Sequence, residues 1–127
     1  MSKLNTYKDL LVWQKSMVLI TEIYSISNKF PSTEVYGLSS QIRRASCSVS
    51  LNIAEGWGRS STKNYIQFLR VSKASLMEVE NCMLISKNLK YVTDDDTNVI
   101  VEKIVEITRM LNGLIKSLNN KITEEQR

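Results

Sequence analysis

The chain has 127 residues, the size of one ordinary domain with a core of its own. Seventeen Lys and Arg against thirteen Asp and Glu leave a net charge of +4, a mild bias toward an anionic partner. There is no histidine, so the commonest general base and the commonest metal ligand are both missing. Proline occurs once and glycine four times, which allows long uninterrupted elements. The first residues lack a signal-peptide layout, and no apolar run is long enough to span a bilayer. A cytoplasmic protein without a membrane contact is expected, with its two cysteines, Cys47 and Cys82, reduced and too far apart to bridge.

The spacing predicts four helices, at about 8–29, 34–55, 62–90 and 94–120, and nothing alternates with a period of two. In the first, Leu10, Trp13, Met17, Ile20 and Tyr24 step by three and four, and Leu19, Ile23, Ile26 and Phe30 form a neighbouring row. The apolar face is therefore wide. Pro31 ends this helix, because the residue before proline is driven out of the helical region. Gly37 makes the start of the second helix a loose turn, regular from Leu38. Its seam is Leu38, Ile42, Ala45, Val49 and Ile53, and it ends at Gly56.

Ser61 or Thr62 caps the third helix, whose main seam is Tyr65, Leu69, Ser72, Leu76, Val79 and Met83. The run Thr93-Asp94-Asp95-Asp96 places acids at the fourth helix start, where the dipole favours them. Ile100, Ile104, Ile107, Leu111, Leu114 and Leu118 give that helix the cleanest heptad in the chain. The tail after residue 120 is polar and expected to fray. Four long helices with short links predict a single all-α domain over 1–127, an antiparallel up-down-up-down four-helix bundle.

The second and third helices carry a polar oddity. Gln41, Arg44, Ser48, Asn52 and Glu55 make a helical row that borders the apolar one. On the third helix, Phe68, Val71, Ser75, Glu78, Cys82, Ile85 and Leu89 form a line with a carboxylate inside it. A turn pivoting near Arg59 sets Arg44 against residues 73–75, with Glu78 about one helical turn further on. The expectation is a buried Arg44–Glu78 pair, since an unpaired buried charge is very costly. Gln41, Ser48, Asn52, Glu55 and Ser75 would complete a structural polar network around it.

Positive charge gathers on the same hairpin. Between positions 43 and 73 stand Arg43, Arg44, Arg59, Lys63, Arg70 and Lys73, against Glu55 alone. With Arg44 used internally, Arg43, Arg59, Lys63, Arg70 and Lys73 remain as candidate contacts to a nucleic-acid backbone, unless this is an ordinary solvated face. No zinc finger, basic zipper or RNA-recognition signature is visible, so any binding would read backbone or shape. Trp57, between two glycines, either plugs the bundle end or stacks on a base or partner. Ser48 and Ser75 lack a histidine to activate them, and Glu55 and Glu78 lie far apart along the hairpin. No enzymatic activity, metal or cofactor is expected.

Three stretches carry a resemblance: DLLVWQKS near the start, FPSTEVYGLSSQIRRASCSVSLNIAEGWGR after it, and FLRVSKASLMEVE on the third helix. Their strongest signature is Gln41, Arg44-Ala45, Ser48, Asn52-Ile53-Ala54-Glu55-Gly56, Ser75 and Glu78. Together they resemble the 23S rRNA intervening-sequence protein family of four-helix bundle proteins. Ala74 and Ser50 stand where that family commonly has glycine and proline. The resemblance implies a bundle that assembles as a homopentamer. It also implies kinship with the accessory proteins of diversity-generating retroelements, basic barrels that bind nucleic acid and a reverse transcriptase. The expected function is a non-enzymatic homo-oligomer binding RNA or DNA; the alternative is an adaptor for a protein partner such as a reverse transcriptase.

Overall fold

The computed structural model describes residues 4–127, and these form four helices and no strand. They are α1 (Leu11–Ser27), α2 (Leu38–Trp57), α3 (Thr62–Asn88) and α4 (Asp94–Glu125). Two single 3-10 turns, Tyr7–Asp9 and Ser32–Glu34, precede α1 and α2. Backbones approach closely between α1 and α2, α2 and α3, α3 and α4, and α4 and α1. Among the described residues neither diagonal pair does so, so the helices stand in a ring in chain order. Ser72 meets Val49, Ser75 meets Ser48, and Gly56 lies against Tyr65. Contacts that climb on α3 thus descend on α2. The same opposition appears between α1 and α4, through Lys15–Glu106 at 3.0 Å, Glu22–Lys103 at 3.4 Å and Lys29–Asp96 at 3.0 Å.

The ends of the elements follow from local chemistry. Thr6 and Asp9 close a capping box around the first turn, with the Asp9 carboxylate accepting from the backbone of Asn5 and Thr6. Those bonds hold the Asp9 pKa below its usual value. Leu10 then turns extended and buries its side chain, so the helix expected over 8–29 is split and α1 begins only at Leu11. α2 is regular from Leu38, as expected, with the loose start at 34–37 taking the form of a 3-10 turn, and the Glu34 side chain accepts from the Leu38 backbone at 3.2 Å. Ser61 caps α3, and Thr93 with Asp96 forms a capping box on α4. α3 stops through Lys90, whose φ of 63° is left-handed. Tyr91 N–H then reaches Ser86 O, and Lys90 N–H reaches Lys87 O, a Schellman closure built on lysine in place of glycine. α4 continues as helix to Glu125, so the tail expected to fray from 120 is regular.

The core is the set of seams, with one shift. Ile42, Ala45, Val49 and Ile53 of α2 are buried, as are Leu69, Leu76, Val79 and Met83 of α3. Ile100, Ile104, Ile107 and Leu111 of α4 complete it. On α1 the inner face is Val12, Ser16, Leu19, Ile23 and Ser27, while Met17 and Tyr24 of the expected leading row point outward. Small serines let the helices approach, and most buried hydroxyls stay bonded, the Tyr65 Oη being buried without a partner. Ser16, Ser46 and Ser86 donate within their own helices, and Ser72 Oγ donates across to Val49 O at 2.8 Å. Trp57 is half-buried, edge-on to Tyr65 at 6.5 Å, and so closes the end of the core.

Candidate nucleic-acid interface

The α2–α3 seam holds only part of the expected polar network. Ser75 Oγ lies 2.8 Å from Ser48 Oγ, and Asn52 Nδ2 donates to Ser48 O at 2.8 Å and Ser48 Oγ at 3.0 Å. These three make a closed cluster in the floor of the groove. Gln41, Arg44, Glu55 and Glu78 are exposed on its rims. The Arg44–Glu78 pair does not form: no contact within 4 Å joins them, and the Arg44 guanidinium only grazes Ser40 Oγ at 3.5 Å. The reason is rotational. The serines bring the helices so close that the next positions on the polar row swing outward, and a solvated charge needs no partner. Val71, Ile85 and Leu89, on the same line as Glu78, are about half exposed for the same reason.

The five candidate cations separate into two groups. Arg43 is used by the fold. Its Nε donates to Ser27 Oγ at 2.7 Å, its Nη2 to Asn28 Oδ1 at 2.9 Å, and its guanidinium lies 4.9 Å from the Tyr24 ring centre. Arg59 lies over the Phe68 ring at 4.5 Å, with Glu55 4.0 Å away. Lys63, Arg70 and Lys73 instead follow one face of α3, spaced seven and three apart. Lys63 and Arg70 line a groove between α3 and α4 with Ile66, Gln67, Asn119 and Ile122.

α4 brings further cations that the sequence reading passed over. Arg109 borders the same seam beside Met77, Asn112 and Glu80, and Lys121 meets Lys63 at its lower end beside Glu125. Lys116 and Lys121 flank a shallow outer hollow on α4. The signal was present: residues 107–123 hold Arg109, Lys116 and Lys121 and no acid, and residues 62–77 hold Lys63, Arg70 and Lys73 and no acid. What single-helix spacing does not state is that these two stretches lie side by side. Among the described residues none of the six joins an ion pair; Arg70 only bonds Gln67 at 3.1 Å. Cations that line one groove, as Lys63 and Arg70 do, add to each other's potential there. Gln67, Asn112 and Asn119 add neutral donors along the groove.

Other reactive groups are separate from this surface. Both cysteines are free, Cys47 half-buried and Cys82 buried, and burial pushes the Cys82 thiol pKa up. The Tyr24 hydroxyl, 3.7 Å from Cys47 Sγ, has its pKa raised by that contact. No group of three acids or cysteines among the described residues is placed to hold a metal ion, and no helix is long and apolar enough to cross a membrane.

A four-helix bundle with a basic α3–α4 seam, bordered by Glu80 above and Glu125 below, is thus the class the fold and surface define. The family described as 23S rRNA-intervening sequence protein matches residues 8–113, and the chain belongs to that family. A crystal structure of a protein of unknown function from the S23 ribosomal protein family of Bacteroides thetaiotaomicron VPI-5482 has the same fold. It aligns with a TM-score of 0.77 at 23% identity, over 84% of this chain and 99% of that one. No curated protein matches the chain.

Proposed function

We propose that this chain is a non-enzymatic, up-down-up-down bundle that assembles with copies of itself and binds the backbone of RNA or DNA along the α3–α4 seam. A cytoplasmic setting, a ring of five copies and a link to ribosomal RNA or a retroelement are the expectations that family membership carries. The observation that supports binding is the pairing of two stretches whose sequence holds no acid, with Lys63, Arg70, Lys73, Arg109, Lys116 and Lys121 in no ion pair among the described residues, while Glu80, Glu124 and Glu125 border the seam at its ends. Counterion release makes such a surface attract phosphate backbones.

The test is fluorescence anisotropy with a labelled RNA fragment and a DNA duplex across a salt series. Four phosphate contacts would lose about 50-fold in affinity for a single strand and about 150-fold for a duplex between about 50 and 200 mM salt. Charge reversal at Lys63 and Arg70 should abolish binding. Binding that ignores salt would favour the second reading, a protein partner such as a reverse transcriptase. One feature supports that reading: Met77, 70% exposed, and Val105, 46% exposed, form an apolar stretch in the upper half of the same groove.

A further inference from the structure

The α3–α4 seam holds more than charge. Steps of three and four set cation and amide in turn along each rim: Lys63, Gln67 and Arg70 on α3, and Arg109, Asn112, Lys116 and Asn119 on α4. All of these side chains are exposed. Arg70 donates to Gln67 Oε1 at 3.1 Å, which leaves the Gln67 nitrogen to donate elsewhere. Between the rims the surface is apolar, with Ile66 and Ile122 in the lower half and Met77 and Val105 in the upper half. Met77 and Val105 are well exposed, so the fold leaves them uncovered. Glu80 stands at the upper end and Glu125 at the lower, which bounds the path that favours phosphate.

Two forms of nucleic acid would meet this layout differently. A duplex keeps its base faces in its own stack and turns phosphates and sugars outward, so rim cations alone would serve it. A single strand carries its phosphates beside unstacked bases, whose faces need cover and whose edges need donors and acceptors. The axes of two packed helices lie about 8–10 Å apart, so the furrow between α3 and α4 admits a base and not a duplex. From Lys63 to Met77 the α3 rim runs about 20 Å, room for about four nucleotides. We infer that the seam takes a single strand of RNA or DNA, with phosphates on the rim cations and base faces against Met77, Val105 and Ile122. The amides of Gln67, Asn112 and Asn119 then face base edges. This assignment rests on the reading that the seam binds nucleic acid, and adds which form it takes.

Competition anisotropy tests it, with a labelled strand of about 12 nucleotides bound to the whole chain at one low salt concentration. The competitors are the same strand unlabelled, its duplex, and a sugar–phosphate strand of equal length without bases, in RNA and DNA series. The strand should compete at least about tenfold better than the other two, although the duplex has the higher charge density. Met77→Ser with Val105→Ser should shrink that advantage to about twofold or less. Both positions are exposed, so circular dichroism should match the wild type. Equal competition by strand, duplex and base-free strand overturns the assignment and leaves a seam that holds phosphates alone. Preference for the duplex overturns it too, as does a strand advantage that survives the double variant. If none of the three binds, the nucleic-acid reading itself falls, and the Met77–Val105 stretch is left to a protein partner.

Discussion

Where α1 ends and α4 begins, nearly every charged or hydroxyl group has a job in holding the chain. Lys29 Nζ lies 3.0 Å from both carboxylate oxygens of Asp96, which also caps its own helix. Arg43 clasps Ser27 and Asn28, and Glu34 accepts from both Tyr91 Oη and the Leu38 backbone. At the opposite end, Lys63, Arg70, Lys116 and Lys121 hold nothing together except the Arg70–Gln67 contact. Equal charges thus serve different ends in one small bundle. Those at the first end hold the structure; those at the second are free to meet something else.

The comparison is anchored by the core between the two ends. Ile107 is 1% exposed, and Ile107→Ala should cost about 2–5 kcal/mol in chemical denaturation through the cavity it leaves. Next comes a pair of arginines. Arg43→Ala should lower stability by about 1.5–3 kcal/mol, since it removes the charge-assisted bonds to Ser27 and Asn28, and should leave nucleic-acid affinity nearly unchanged. Arg70→Ala should do the reverse: stability within about 0.5 kcal/mol of wild type, with weaker binding and a shallower salt slope. If the two exchange roles, the contrast between the ends fails.

Two glycines near the basic end sharpen the picture. A Cβ on Gly56 would sit 2.8 Å from the Tyr65 ring and 2.9 Å from Phe68 Cβ. Gly56→Ala should therefore destabilise by about 1–3 kcal/mol, as α2 and α3 are forced apart. Nothing lies within 4 Å of a Cβ on Gly113, so Gly113→Ala should stabilise by about 1 kcal/mol through helix propensity. Thermal midpoints moving in opposite directions would confirm the pair.

The smallest effect depends on pH. The Lys29 hydrogen bond, then the Thr93 backbone, holds the Asp96 pKa below its ordinary value of 3.8. A depressed carboxylate contributes fully above its unfolded pKa, and the contribution fades as pH falls through the folded one. Asp96→Asn should cost about 1 kcal/mol at pH 7 and nothing in strong acid, where the two proteins converge.

Helix number, the caps at Ser61 and Thr93, and the seams of α2 and α4 were legible because each rests on neighbours in sequence. The face of α1 was not. Both of its rows are apolar, and only packing against α2 and α4 selects Leu19 and Ile23 over Met17 and Tyr24. The Arg44–Glu78 pair went wrong because spacing gives the level of two residues but not how far small serines let the backbones close. Half of the basic seam was missed for a related reason. Lys121 lies some sixty residues beyond Lys63, and only the α3–α4 contact makes it a neighbour.

α4 has 32 residues and α1 only 17, so the last turns of α4 outrun the bundle on that side. After Leu111 no residue of α4 is fully buried, whereas α3 is pressed against α2 down to Tyr65 and Phe68. The seam between them thus has one wall anchored by buried side chains and one held only by the half-buried Leu114, Ile115 and Leu118. If the seam binds as proposed, its ligand would lie against the least anchored stretch of the longest helix.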